Sequence, residues 1–118
     1  MPVKNATRNT IIALGSNVAD SELSRAIGLM FSRPTQAAMV LKFGKDVPIS
    51  LHTYFVFFPI DILFVDSKLR VVELTAMQPF ATYSAKRKAR YVVELPAGTI
   101  RKSKTRVGDI IAFLDGVK

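Results

Sequence analysis

One histidine and two aspartates stand inside the most apolar stretch of this 118-residue chain, His52-Thr-Tyr-Phe-Val-Phe-Phe-Pro-Ile-Asp-Ile-Leu-Phe-Val-Asp66. A domain of this size buries such a run, and a buried carboxylate without a partner is costly. Asp61 must therefore accept backbone N–H groups or meet an arginine. His52 is the sole histidine and the natural candidate for proton transfer near neutral pH. Paired with Asp61, it would supply the acid and base of a small hydrolase or isomerase. The plainer reading makes Asp61 the anchor of a bulge after Pro59, and His52 a hydrogen-bonded residue beside aromatics. No serine or threonine lies in a nucleophile-elbow context, and no glycine-rich phosphate loop is present. With one histidine, no cysteine and scattered carboxylates, the chain has a poor metal-ligand set, so no metal and no other cofactor is expected. Asp66 opens Asp66-Ser67-Lys68-Leu69, a turn signal.

The elements that must position these groups read mostly as strands. Aromatic and β-branched residues from Tyr54 to Phe58 favour a strand over about 49–57, packed in the core. Pro59 cannot donate to a ladder, so a second strand, 60–66, follows a bend. Ile60, Ile62 and Phe64 alternate with Leu63 and Val65, which predicts a strand covered on both faces. Further strands are expected at 10–14, 38–43, 70–76, 90–95 and 110–114. Asp20 or Ser21 caps a helix over about 20–30, with Leu23, Ala26, Ile27 and Met30 on one face and Gly28 near its end. A short helical turn begins at 97–99. The prediction is a mostly β (α+β) single domain over 1–118. Its form would be an antiparallel β-barrel or sandwich of about seven strands with one or two short helices, residues 1–9 being loose or edge-paired.

Charge is distributed unevenly. The formal net charge is +8, and residues 86–106 carry Lys86, Arg87, Lys88, Arg90, Arg101, Lys102, Lys104 and Arg106 against the single acid Glu94. This run is either a solvated face that keeps the protein soluble or a footprint for RNA or single-stranded DNA, to which Tyr54, Phe55, Phe57 and Phe58 could add stacking. The N-terminus lacks the apolar core of a signal peptide, and Pro59 and Asp61 interrupt the longest apolar run, so no membrane span and a cytoplasmic location are expected.

Four pieces in order carry a family resemblance: Arg25-Ala-Ile-Gly-Leu-Met30, His52-Thr-Tyr-Phe followed by Pro59-Ile-Asp-Ile-Leu-Phe-Val-Asp66, Ala89-Arg-Tyr-Val-Val-Glu-Leu-Pro-Ala-Gly98, and Val107-Gly-Asp109. Over about residues 20–113 the chain resembles the DUF192 or UPF0127 family, especially its archaeal-type members. The resemblance implies a compact, mostly β domain and brings no chemistry with it. Family members often carry a methionine and then a polar or basic residue after the aromatic pair, where this chain has Val56 and Phe57. The residues themselves, polar groups set in a core segment, predict a non-catalytic module that binds a small ligand or protein partner. Its site would lie near His52, Tyr54, Asp61, Arg25, Gly28 and Met30.

Overall fold

The computed structural model describes residues 2–30, 32–33 and 35–114, with only the backbone of Leu23, Ala26 and Ile27. In chain order the elements are β1 (Val3–Asn5), β2 (Thr10–Ala13), β3 (Ser16–Ala19), α1 (Glu22–Ile27), β4 (Ala38–Val47) and β5 (Ser50–His52). They continue with β6 (Ile60–Val65), β7 (Val71–Met77), β8 (Thr82–Ser84), β9 (Ala89–Pro96), α2 (Thr99–Ser103) and β10 (Ile111–Phe113).

The chain is organised around β6. Pro59 precedes it and Asp66 ends it, with Asp66 Oδ1 accepting the N–H groups of Lys68 (3.0 Å) and Arg70 (2.9 Å) in the turn to β7. Every residue of β6 is buried. It lies inside a five-stranded sheet of order β3-β4-β9-β6-β7. As the alternation predicts, Leu63 and Val65 enter one apolar cluster with Val40, Tyr91, Val93 and Leu95. Ile60, Ile62 and Phe64 enter another, with Leu41, Met77 and Val92. Each fully buried large side chain of this kind contributes about 2–3 kcal/mol.

The first cluster is closed by Val3, Ile12 and Ile111 from the three-stranded sheet β10-β1-β2, and by Ile100 of α2. The second is closed by Ala19, Leu29, Ile49 and Val56. Beside that face β5 pairs with β8 in a two-stranded sheet.

The mostly β, α+β reading holds, but the expected antiparallel barrel or sandwich of about seven strands needs correction. The described residues form ten strands in three open sheets, and β3 pairs with β4 in parallel. The parallel pair follows from the connection. Residues 20–37 provide the crossover that parallel neighbours need, and α1 lies within it. Ser21 caps α1 by a capping box with Ser24, and the helix stops at Gly28, whose φ is +47°. The side chains of Leu23, Ala26 and Ile27, expected on one helical face, lie outside the described residues, as does Pro34 of the following loop.

Two more expectations change. Residues 3–5 are not a loose edge, because β1 is the middle strand of its sheet and Val3 and Asn5 are fully buried. The strand expected over 49–57 stops at His52. Thr53 is buried and holds a turn there: its N–H donates to Ala81 O (2.8 Å) and its Oγ1 to Gln78 O (2.7 Å). Phe55 takes a left-handed φ of +59°. As a result Tyr54, Phe55 and Phe57 are exposed rather than packed in the core.

Candidate functional site

A cavity of about 290 Å³ opens on the face that carries the second cluster. The end of α1 and the following turn contribute Arg25, Gly28, Leu29 and Met30; β4 contributes Leu41 and Phe43; β5 contributes Ser50, Leu51 and His52. Val56 comes from the turn after β5, and Glu94 comes from β9.

Four of the residues singled out in the sequence meet here: Arg25, Gly28, Met30 and His52. Arg25 is held by the fold. One guanidinium nitrogen donates to Asp20 O (2.7 Å) and Lys42 O (3.0 Å). Its guanidinium carbon lies over the Phe43 ring, 4.6 Å from the ring centre. His52 stands at the rim. Its Nδ1 accepts the Tyr54 N–H at 3.2 Å, and the two rings stack 5.0 Å apart. With Nδ1 accepting, the neutral ring carries its proton on Nε2. Tyr54 orients His52 and does not itself line the cavity.

Asp61 is elsewhere. It shares a strand face with Leu63 and Val65, opposite the cavity, and its Oδ2 accepts the Ile100 N–H of α2 at 2.9 Å. The expected pairing of His52 with Asp61 is therefore absent, since the sheet lies between them. The bulge anchor proposed for Asp61 is replaced by a tie to α2. The need for an N–H donor was read correctly, but the donor comes from residue 100.

The acid that does reach the cavity is Glu94, which sequence reasoning passed over as the lone acid of a basic region. It lies on a strand flanked on both sides, opposite Met39 of β4 and Ile62 of β6. The residue is 6% exposed, and Oε1 is buried with no hydrogen-bond partner among the described residues. Burial pushes its carboxyl up to about 7 from the ordinary 4.5. Glu94 and Leu29 also line a neighbouring cavity of about 200 Å³, bounded by Phe58, Pro59, Ile60 and Pro96. The carboxyl thus stands between two largely apolar spaces. The signal was present in Arg90-Tyr-Val-Val-Glu-Leu95: alternation puts Glu94 on the same side as Val92, where an acid is as costly as at Asp61.

The basic residues divide into groups. The N–H groups of Lys86 and Arg87 donate to Glu73 Oε1 at 2.8 and 3.1 Å, and Arg87 and Lys88 are exposed. Arg90 Nε donates to Phe43 O at 3.2 Å. Arg101, Lys104 and Arg106 line a cleft of about 310 Å³ together with Arg8, while the exposed Lys102 lines a separate hollow with Ile11 and Thr99.

Comparison with known proteins gives relatives over nearly the whole chain. The family model DUF192, Uncharacterized ACR, matches residues 3–113. A UPF0127 protein of Pyrococcus horikoshii is 39% identical over 97 residues, covering 81% of this chain and 84% of its own. One from Pyrococcus furiosus is 36% identical over 106 residues, covering 89% and 91%. Among solved structures, a Sinorhizobium meliloti protein superposes with a TM-score of 0.84 at 24% identity, covering 94% of this chain and 89% of that one. A protein of unknown function from Novosphingobium aromaticivorans superposes at 0.81 with 20% identity, covering 96% and 84%. At these identities the structural matches show a shared fold.

Proposed function

Because the chain belongs to the DUF192 family, whose model brings no chemistry with it, we propose its function from the cavity itself: a non-catalytic module that binds a small, mostly apolar ligand. One observation carries this reading. Glu94 is a buried carboxyl whose Oε1 has no partner among the described residues, and it faces a cavity whose wall includes the apolar Leu29, Leu41, Phe43, Leu51 and Val56. A buried polar atom left unsatisfied costs about 1–3 kcal/mol, a cost that a ligand with a matching group removes. An apolar cavity with a few convergent polar groups is the usual form of a small-molecule site. His52, whose Nε2 carries the ring proton, adds a donor.

The test is an amide NMR screen of the labelled protein against a fragment library, repeated with Leu51→Trp to fill the cavity. Binding fragments should shift Gly28–Met30 and Glu94–Leu95, and the folded Leu51→Trp variant should bind them at least ten-fold more weakly. Fragments that bind without moving those amides, or that bind the filled variant equally well, would remove the reading.

A second reading rests on the cleft shared by Arg8, Arg101, Lys104 and Arg106. Four cations lining one depression suit the phosphates of RNA or single-stranded DNA. Three or four phosphate contacts would give single-strand affinity a log–log salt slope of about −2 to −3. Arg101→Ala with Lys104→Ala should flatten the slope by about 1.4. A slope near zero in the unmodified protein would dispose of this reading.

A further inference from the structure

Resting on the cavity reading above, we propose that the ligand is an organic amine, its ammonium group set against the Glu94 carboxylate and its hydrocarbon body in the apolar space between α1, β4 and β5.

The argument begins with what the chain withholds from Glu94. No described donor reaches Oε1. Arg25 shares the cavity wall, but its guanidinium is held by Asp20 O and Lys42 O and lies over Phe43, and among the described residues no cation forms an ion pair with Glu94. The fold therefore supplies neither a hydrogen bond nor a counter-charge. A buried carboxylate needs both, because burying charge without a partner is the costliest form of polar burial. An ammonium supplies up to three N–H donors and the missing positive charge in one group. A neutral alcohol supplies one donor and no charge. A carboxylate ligand would add a second negative charge to the floor.

Shape agrees with this assignment. The absence of a side chain at Gly28 leaves Glu94 open to the cavity, for a Cβ there would stand 3.3 Å from Oε1. Leu29, Leu41, Phe43, Leu51 and Val56 offer an alkyl or arylalkyl body apolar contact, and the polar lining beside Glu94 is limited to Arg25, Ser50 and His52. A cavity of about 290 Å³ has the volume of roughly ten water molecules at about 30 Å³ each, enough for a short alkyl chain with its ammonium group.

The test uses three probes of one chain length, n-hexylamine, 1-hexanol and hexanoate, titrated at pH 7.5 into the labelled full chain and followed at the amides of Gly28–Met30 and Glu94–Leu95. Hexylamine should bind at least ten-fold more tightly than hexanol, and hexanoate least. Glu94→Gln should bring hexylamine and hexanol to within two-fold of each other. Hexanol or hexanoate binding as tightly as hexylamine at these same amides would overturn the amine assignment and leave the cavity reading standing. If none of the three moves these amides, the cavity reading falls and takes the assignment with it. The comparison on the unmodified protein decides the matter even where the variant is unstable.

Discussion

A methyl group on Gly28 would stand 3.3 Å from Glu94 Oε1, so the end of the first helix and the middle of the central sheet meet with nothing between them. Gly28 also has a φ of +47° and a ψ of −120°, a conformation that L side chains rarely adopt. Both effects act against Gly28→Ala. Left-side backbone strain costs of order 1–3 kcal/mol, and the tight contact with Glu94 adds to it. Chemical denaturation should show the variant less stable by about 2 kcal/mol, within that range. An unchanged midpoint would mean that the turn after α1 reorganises at no cost.

Glu94 gives the fold a pH dependence of definite sign. Its folded carboxyl titrates at about 7, above the ordinary 4.5. A raised acid binds its proton more tightly when folded, so the contribution to stability is full below pH 4.5 and is lost as pH rises toward 7. The shift corresponds to about 3 kcal/mol. Glu94→Gln keeps the shape and removes the charge. The variant should be nearly pH-independent between 5 and 8, and more stable than the unmodified protein at pH 8. Parallel stability curves for the two proteins across that range would show that Glu94 carries no such linkage.

What the sequence disclosed follows its periodicities. Strand β6 was legible because Ile60, Ile62 and Phe64 alternate with Leu63 and Val65, and the structure puts these sets in two clusters. The cap at Ser21 and the turn at Asp66 were legible because each is a local hydrogen bond within four residues. The aromatic run was misread because Thr53 bonds to residues 78 and 81, a long-range tie that overrides the strand propensity of Tyr54 and Phe55. Arg25, Gly28 and Met30 line one cavity with His52, which is far from them in sequence. Asp61 was assigned to the wrong side, because its parity with Leu63 was not carried through to the site. Glu94 was missed because its neighbours in sequence are basic while its neighbours in space are apolar.

Asp61 has a structural role that can be separated from the cavity. Its Oδ2 receives the Ile100 N–H at 2.9 Å and so fastens the first turn of α2 to the sheet. Asp61→Ala leaves that N–H unsatisfied, at a cost of about 1–3 kcal/mol. Thermal unfolding should register the loss, while fragments that enter the Glu94 cavity should bind as before. Loss of cavity binding in a folded Asp61→Ala protein would restore Asp61 to the site.

The last prediction concerns how the two ends of the chain are held. Asn5 Nδ2 donates to Thr105 Oγ1 and to Asp109 Oδ2, each at 3.0 Å, and Asp109 Oδ2 also receives Arg8 Nε at 3.1 Å and the Arg106 N–H at 2.9 Å. Burial raises the Asp109 carboxyl, but these bonds and the Arg8 charge outweigh it and hold the group below its ordinary 3.8. A depressed acid contributes stability above that ordinary value, and the contribution is lost as pH falls below it. Asp109→Ala leaves the Asn5 amide buried with one partner fewer and cuts the tie between β1 and the loop before β10. A cost of about 3 kcal/mol is expected, in the range for breaking a buried charged network. Hydrogen exchange should speed up first in Val3–Asn5 and Ile111–Phe113, which pair with each other. Below pH 4 the gap between variant and unmodified protein should narrow, because the unmodified protein loses the same carboxylate to protonation. A gap that stays constant down to pH 2 would place the stabilisation in packing and not in the Asp109 charge.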